Sequence, residues 1–156
     1  MLTPGESAPD FTLPDQDGQP VTLSQLLAEG PLVLYFYPAD FTPGCTKEAC
    51  TIRDMHDEIA SAGMRVVGIA PQDAASHARF REKHALPFTL LSDPDKRAIR
   101  AYGVDGPLGV GVRRATFLIG ADGKILDAVR ADLRIGRHEA FIRDAIAAGG
   151  AEGSRD

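Results

Sequence analysis

The run Pro31-Leu32-Val33-Leu34-Tyr35-Phe36-Tyr37, closed by Pro38 and followed by Thr42-Pro43, leaves the chain few folds to choose from. An unbroken apolar run of this length is too short to cross a bilayer and has the character of a strand buried on both faces. Proline stops such a strand because it has no N–H for the ladder. Threonine followed by proline is a helix start: an N-cap, then a residue whose missing N–H is harmless at the first helical position. A covered strand that runs almost directly into a helix predicts an α/β sheet.

The same alternation extends along the chain. Asp10 to Leu13 and Pro20 to Leu23 flank Asp15-Gln16-Asp17-Gly18 and predict an opening β-hairpin. Ser24 is the expected cap of a short helix through Glu29, ended by Gly30. The helix beginning at Pro43 is expected to run to about Ala62 and to close at Gly63. A strand over Arg65 to Ala70 precedes a helix capped by Asp73 that runs to His84 and turns Ala74, Ala78, Phe80 and Ala85 inward. Further on lie a core strand at Phe88 to Leu91, a short helix at Asp95 to Tyr102 and a Gly-rich loop. A hairpin of Thr116 to Ile119 with Lys124 to Val129 and a last helix at Arg137 to Ala148 complete the series. The order β-β-α-β-α-β-α-β-α-β-β-α fits one domain over residues 1–148, a thioredoxin-like fold. That is a central mixed sheet flanked by helices with an N-terminal hairpin extension. Residues 149–156 are expected to be a disordered tail.

Composition narrows the functional classes. A chain of 156 residues, 44% of them hydrophobic, buries a core without disulfide staples. Its two cysteines point to a reducing compartment in which a disulfide is transient and chemical, not structural. The N-terminus has no basic segment followed by an apolar one, so the cytoplasm is the expected location. A net charge of -5 with scattered arginines offers no basic stripe for nucleic acid, and no segment is suited to a membrane.

Both cysteines lie just past the helix start. Cys45 falls in the first turn, where unpaired N–H groups and the positive end of the helix dipole favour a thiolate, the nucleophilic form. Cysteine is also a common buried residue that behaves as a small hydrophobe, and that reading suits either thiol taken alone. Position tips the balance for Cys45, because α/β sheets place their chemistry at the C-terminal edges of strands.

The string YFYPADFTPGCTKEAC resembles the active-site signature of the peroxiredoxins, in which proline precedes threonine and threonine precedes cysteine at these intervals. Its C-x4-C spacing is similar to the bacterioferritin-comigratory, or peroxiredoxin Q, subfamily. The likeness extends from Gly5-Glu6-Ser7-Ala8-Pro9-Asp10-Phe11 through Leu90-Leu91-Ser92-Asp93 to Arg114-Ala115-Thr116-Phe117-Leu118-Ile119. The resemblance implies a thiol peroxidase acting on hydrogen peroxide and alkyl hydroperoxides, with Cys45 as nucleophile, Thr42 bonding the peroxide and Pro38 shielding the thiolate. It also implies Arg114 as the cation that steadies thiolate and peroxide; Arg113 is assigned to solvent. Glu48, one turn after Cys45, suits either a bidentate partner for an arginine or an exposed helix carboxylate. The segment from Gly103 to Val112 is shorter than in many members of that family, which bears on how substrate and reductant approach.

Attack leaves Cys45 as a sulfenic acid, which condenses with a neighbouring thiol, and Cys50 is the other thiol in the chain. Five helical residues separate the two Cα atoms by roughly 8.6 Å on different faces. Disulfides need about 7 Å or less, so the bridge requires the helix start to unwind. A dithiol such as thioredoxin, the partner the resemblance implies, would reopen it. With both thiols in one chain a monomer is the simplest assembly. No cofactor is called for, and His56, His77, His84 and His138 lack metal-like spacing and are assigned to surface or packing. A thioredoxin-type disulfide oxidoreductase would normally carry C-x-x-C. A thiol-based redox sensor would use the same cysteines with a partner surface that the sequence does not display.

Overall fold

The computed structural model of the protein describes residues 1–149, so the expected tail lies outside the described residues apart from Gly149. The hairpin strands are β1 (Thr12–Pro14) and β2 (Pro20–Thr22), antiparallel and forming a small sheet of their own. Helix α1 (Leu23–Leu27) follows directly, capped by Thr22 and not by Ser24. Thr22 and Gln25 form a reciprocal capping box, while the Ser24 hydroxyl is drawn to Asp10 at 3.2 Å.

The main sheet contains β3 (Leu32–Phe36), β4 (Arg65–Ala70), β5 (Thr89–Ser92), β6 (Ala115–Ile119) and β7 (Ile125–Arg130), in the order β5-β4-β3-β6-β7. Strands β3, β4 and β5 are mutually parallel, whereas β6 is antiparallel to both β3 and β7. This is the mixed, thioredoxin-like sheet that the pattern of elements predicts. β3 is central, and its apolar run serves two cores by alternation. Leu32, Leu34 and Phe36 enter one core, and Val33, Tyr35 and Tyr37 the other. At the Tyr35 level the neighbouring β4 residue is Gly68, where a Cβ would come within 2.8 Å of the Tyr35 ring.

Helices α2 (Pro43–Asp54), α3 (His56–Ser61) and α6 (Ile135–Ala147) share the second core with α4 (Ala74–His84), as their buried Cys45, Ile52, Ile59, Ile142 and Phe80 record. The single helix expected from Pro43 to Ala62 is broken at Met55. There φ is -97° and ψ 0°, and the Met55 N–H is shared between the Thr51 and Ile52 carbonyls at 3.2 and 3.0 Å. Neither glycine nor proline lies between Gly44 and Gly63, so nothing local marks the break. The turn it takes lets Ile52, Met55 and Ile59 all enter the core.

Asp73 caps α4 as expected, accepting from the Ser76 N–H at 2.9 Å. The inward face differs from the expected one: His77 and Phe80 are buried, while Ala85 is exposed and forms the left-handed C-cap at φ 51°. The short helix α5 (Arg97–Ala101) starts two residues late, because the Asp93 carboxylate accepts from the N–H groups of Arg97 and Ile99 and sets its first turn.

Candidate active site

Six residues, Tyr37 to Thr42, carry the chain from the end of β3 to the start of α2, and Cys45 is the third residue of that helix. Thr42 holds the N-cap position with extended φ and ψ, yet its hydroxyl makes no capping bond. It donates instead to the Ala39 carbonyl at 2.9 Å, closing the loop on itself. The first main-chain bond of the helix runs from the Thr46 N–H to the Thr42 carbonyl, so the N–H groups of Gly44 and Cys45 precede the helical ladder and remain available. Cys45 is buried and Cys50 half-buried, both as free thiols.

Arg114 reaches the Cys45 sulfur from the opposite side of the site. It sits one residue before β6 and is only 5% exposed. Asp132, in the turn after β7, anchors it: its carboxylate accepts the Arg114 main-chain N–H at 2.8 Å and its carbonyl accepts Nε at 3.4 Å. Nη1 donates to Glu48 Oε1 at 2.6 Å and Nη2 to Cys45 Sγ at 3.4 Å. Burial works against the charge on this guanidinium, but Glu48 and Cys45 outweigh it and hold the proton more firmly than usual. Arg113 makes only a loose, partly exposed contact with Asp132 at 3.8 Å.

Glu48 is buried, so the exposed alternative fails, and the expected bidentate pair fails as well. One oxygen binds Arg114, while Oε2 has no hydrogen-bond partner and lies 3.7 Å from His138 Nδ1. Burial dominates this carboxyl and pushes it up to about 7 against the pull of Arg114. His138 Nε2 faces the Ala131 carbonyl at 2.9 Å, which can only accept, and Nδ1 meets the Thr116 hydroxyl at 2.8 Å. Burial drives the His138 pKa down, leaving a neutral ring that accepts from Thr116.

Gly44 separates Thr42 from the thiol for a steric reason. A Cβ there would lie 3.1 Å from Arg114 Nη2 and 3.7 Å from Ile135 Cδ1. Pro38 is half-buried at the head of the loop, with its carbonyl accepting from Gln72 Nε2 at 3.2 Å. The structure thus gathers Cys45, Arg114 and Glu48 into direct contact, places Thr42 and Pro38 on the loop before the thiol, and puts Cys50 farther along α2. Sequence reasoning missed Asp132, Thr116 and His138, whose chain positions carry no local signal. No group of His, Cys, Asp and Glu suited to a metal ion occurs among the described residues, and none of their helices is long and apolar enough to cross a membrane.

Residues 4–128 of the chain match the AhpC/TSA family. The chain belongs to that family, in its peroxiredoxin Q branch. This peroxiredoxin is 46% identical over 125 residues to chloroplastic peroxiredoxin Q of rice, Oryza sativa subsp. japonica, in an alignment that covers 80% of the chain. It spans 57% of the length of that relative. The crystal structure of peroxidoxin BcpB from Mycobacterium tuberculosis superposes with a TM-score of 0.88 at 40% identity, covering 95% of this chain and 98% of that one. Peroxiredoxin Q of Xanthomonas campestris gives a TM-score of 0.82 at 31% identity, covering 90% and 92%.

Proposed function

We propose that this peroxiredoxin is a thiol peroxidase that reduces hydrogen peroxide and alkyl hydroperoxides through Cys45. The observation that carries the reading is the 3.4 Å contact between Arg114 Nη2 and the buried Cys45 sulfur, with the other end of the guanidinium fixed by Glu48. The Cys45 thiolate attacks one peroxide oxygen; the S–O bond forms as the O–O bond breaks, and the second oxygen leaves as hydroxide or alkoxide to take up a proton. Thr42 spends its hydroxyl hydrogen on Ala39, so toward a hydroperoxide it can only accept and would take the O–H of the substrate. Glu48, Cys45 and Asp132 occupy three of the five N–H groups of Arg114, which leaves two for the departing oxygen.

The sulfenic acid then condenses with Cys50. Both residues lie within the continuous helix α2, so their Cα atoms are roughly 8.6 Å apart by helix geometry. Bridging therefore requires the first turns of α2 to unwind, and a dithiol reductant of the thioredoxin type restores both thiols. The same separation speaks against a thioredoxin-type disulfide oxidoreductase, whose paired thiols must bridge without such a rearrangement. A resolving thiol in the same chain needs no second subunit, so we assign a monomer, and the sparse cysteines favour the reducing cytoplasm. No role with nucleic acid or membranes is assigned.

A coupled assay with thioredoxin, thioredoxin reductase and NADPH against several hydroperoxides tests the proposal. Turnover that vanishes in Cys45→Ser is expected. A reduced protein that leaves peroxide untouched and keeps both thiols would overturn it.

A further inference from the structure

Cys45 must be held in place for attack and let go for bridging, so whatever ties down the loop before it governs the cycle. The ties are concentrated on Asp40. Its carboxylate, in a residue only 7% exposed, meets three side-chain partners. The Tyr37 hydroxyl donates to Oδ1 at 2.7 Å, the Ser76 hydroxyl donates to Oδ2 at 2.8 Å, and His77 Nδ1 lies 2.6 Å from Oδ2. His77 is braced in turn, with Nε2 3.0 Å from the Leu91 carbonyl, which can only accept. The Asp40 main-chain N–H donates to Gln72 Oε1 at 3.1 Å, and the Gln72 amide returns to the Pro38 carbonyl. Gln72, Ser76 and His77 belong to α4 or the turn before it. The loop is therefore fastened to α4 on the side away from Arg114.

The next residue opposes that fastening. Phe41 has φ 67°, a left-handed value that costs a bulky side chain about 1 kcal/mol or more. Its ring is 45% exposed and meets Phe80 of α4 edge-on at 5.1 Å. Unwinding the start of α2 would free Phe41 from this conformation, and the buried bonds to Asp40 keep it there. Nothing in the peroxide step uses Asp40, His77 or Ser76, since none of them bonds to Cys45 or Arg114.

We infer that Asp40 is a positioning residue: through Ser76 and His77 it latches the loop before Cys45 to α4 and sets how readily the helix start unwinds for bridging. The inference rests on the Cys45–Cys50 cycle proposed above. Two fates compete for the oxidised thiol. In the unwound form, Cys45–SOH and Cys50–SH give the disulfide and water. In the latched form, a second hydroperoxide transfers an oxygen to the sulfenate, giving the sulfinate and an alcohol or water. A tighter latch lengthens exposure to the second peroxide, and a looser one favours the disulfide.

The experiment is mass spectrometry of Cys45 after graded hydrogen peroxide, with the ratio of sulfinate to disulfide as the readout. Asp40→Asn keeps the shape and removes the charge. Its ratio should fall about tenfold at equal dose, the equivalent of losing one hydrogen bond to a charged group. Ser76→Ala, which removes a single tie from a partly exposed site, should move the ratio the same way by a smaller factor and covers the case in which Asp40→Asn does not fold. Val104→Ala, a cavity in the core on the other side of the sheet, lowers stability without touching the loop and should leave the ratio unchanged. An unchanged ratio in both latch variants, or an equal fall in Val104→Ala, would overturn the latch while the parent still bridges Cys45 to Cys50. A parent that forms no such bridge would overturn the cycle and the latch together.

Discussion

Glu48→Gln makes the cost of burying the Glu48 carboxylate measurable. The carboxyl is held up at about 7 in the folded protein against an ordinary 4.5, chiefly because it is buried and despite its bond to Arg114. Between those two values the folded state retains a proton that the unfolded state releases, so this group makes stability fall as pH rises through the interval. The whole fall is about 3 kcal/mol, because each pH unit of that interval is worth about 1.4 kcal/mol. Glutamine resembles the protonated acid, cannot ionise, and can still accept from Arg114 Nη1. Glu48→Gln should therefore match the parent near pH 4.5 and exceed it by up to about 3 kcal/mol once the pH is above about 7, with the gain appearing across that interval. Asp40, whose partners are Tyr37, Ser76 and His77 and not Glu48, titrates in both proteins alike and cancels in the difference. Urea denaturation of the fully reduced proteins at a series of pH values measures it. A difference that stays flat across the interval, or a parent that gains on the variant as pH rises, would refute the claim that burial outweighs the Arg114 pairing.

Three other outcomes follow from the site. Arg114→Ala should slow the single-turnover reaction with peroxide by about a hundredfold or more, the usual cost of losing a placed donor, while Arg113→Ala should stay close to the parent; equal losses would dissolve the distinction between the neighbours. Gly44→Ala should slow the same step with little loss of thermal stability, because alanine suits the helix but its Cβ would press on Arg114 Nη2 at 3.1 Å; an unaffected rate would show that the guanidinium yields freely. Cys50→Ser should consume one equivalent of peroxide, then pass to over-oxidised Cys45 without the loss of amide protection over residues 42–52 that bridging brings to the parent, as mass spectrometry and hydrogen exchange would record. Sustained turnover of Cys50→Ser would point to a resolving thiol outside this chain.

The features legible in the chain alone are those that neighbouring residues decide among themselves. The apolar run of β3, stopped by Pro38, predicts a doubly buried strand whatever surrounds it, and Thr42-Pro43 marks the start of α2 by backbone chemistry alone. Asp73 caps α4 in the same way, and the interval from Thr42 to Cys45 puts the thiol in a first helical turn. Everything that depends on which distant groups meet was left to the packing of the whole fold. The break at Met55 follows from packing Ile52, Met55 and Ile59 into one core, with no glycine or proline to announce it. Thr42 turns its hydroxyl to Ala39 and leaves the helix N–H groups open, although the local sequence reads as an ordinary cap. Glu48 could have faced water on an isolated helix; the return of the chain through β6 and β7 brings Arg114, Asp132 and His138 around it and raises its pKa by burial. His77, on a helix face expected to be alanine-lined, is buried because Asp40 and the Leu91 carbonyl supply partners for its two ring nitrogens. Local capping and periodicity act over a few residues, whereas burial and ion pairing act across the fold. The position of the reactive thiol could therefore be read from the chain, and its electrostatic surroundings could not.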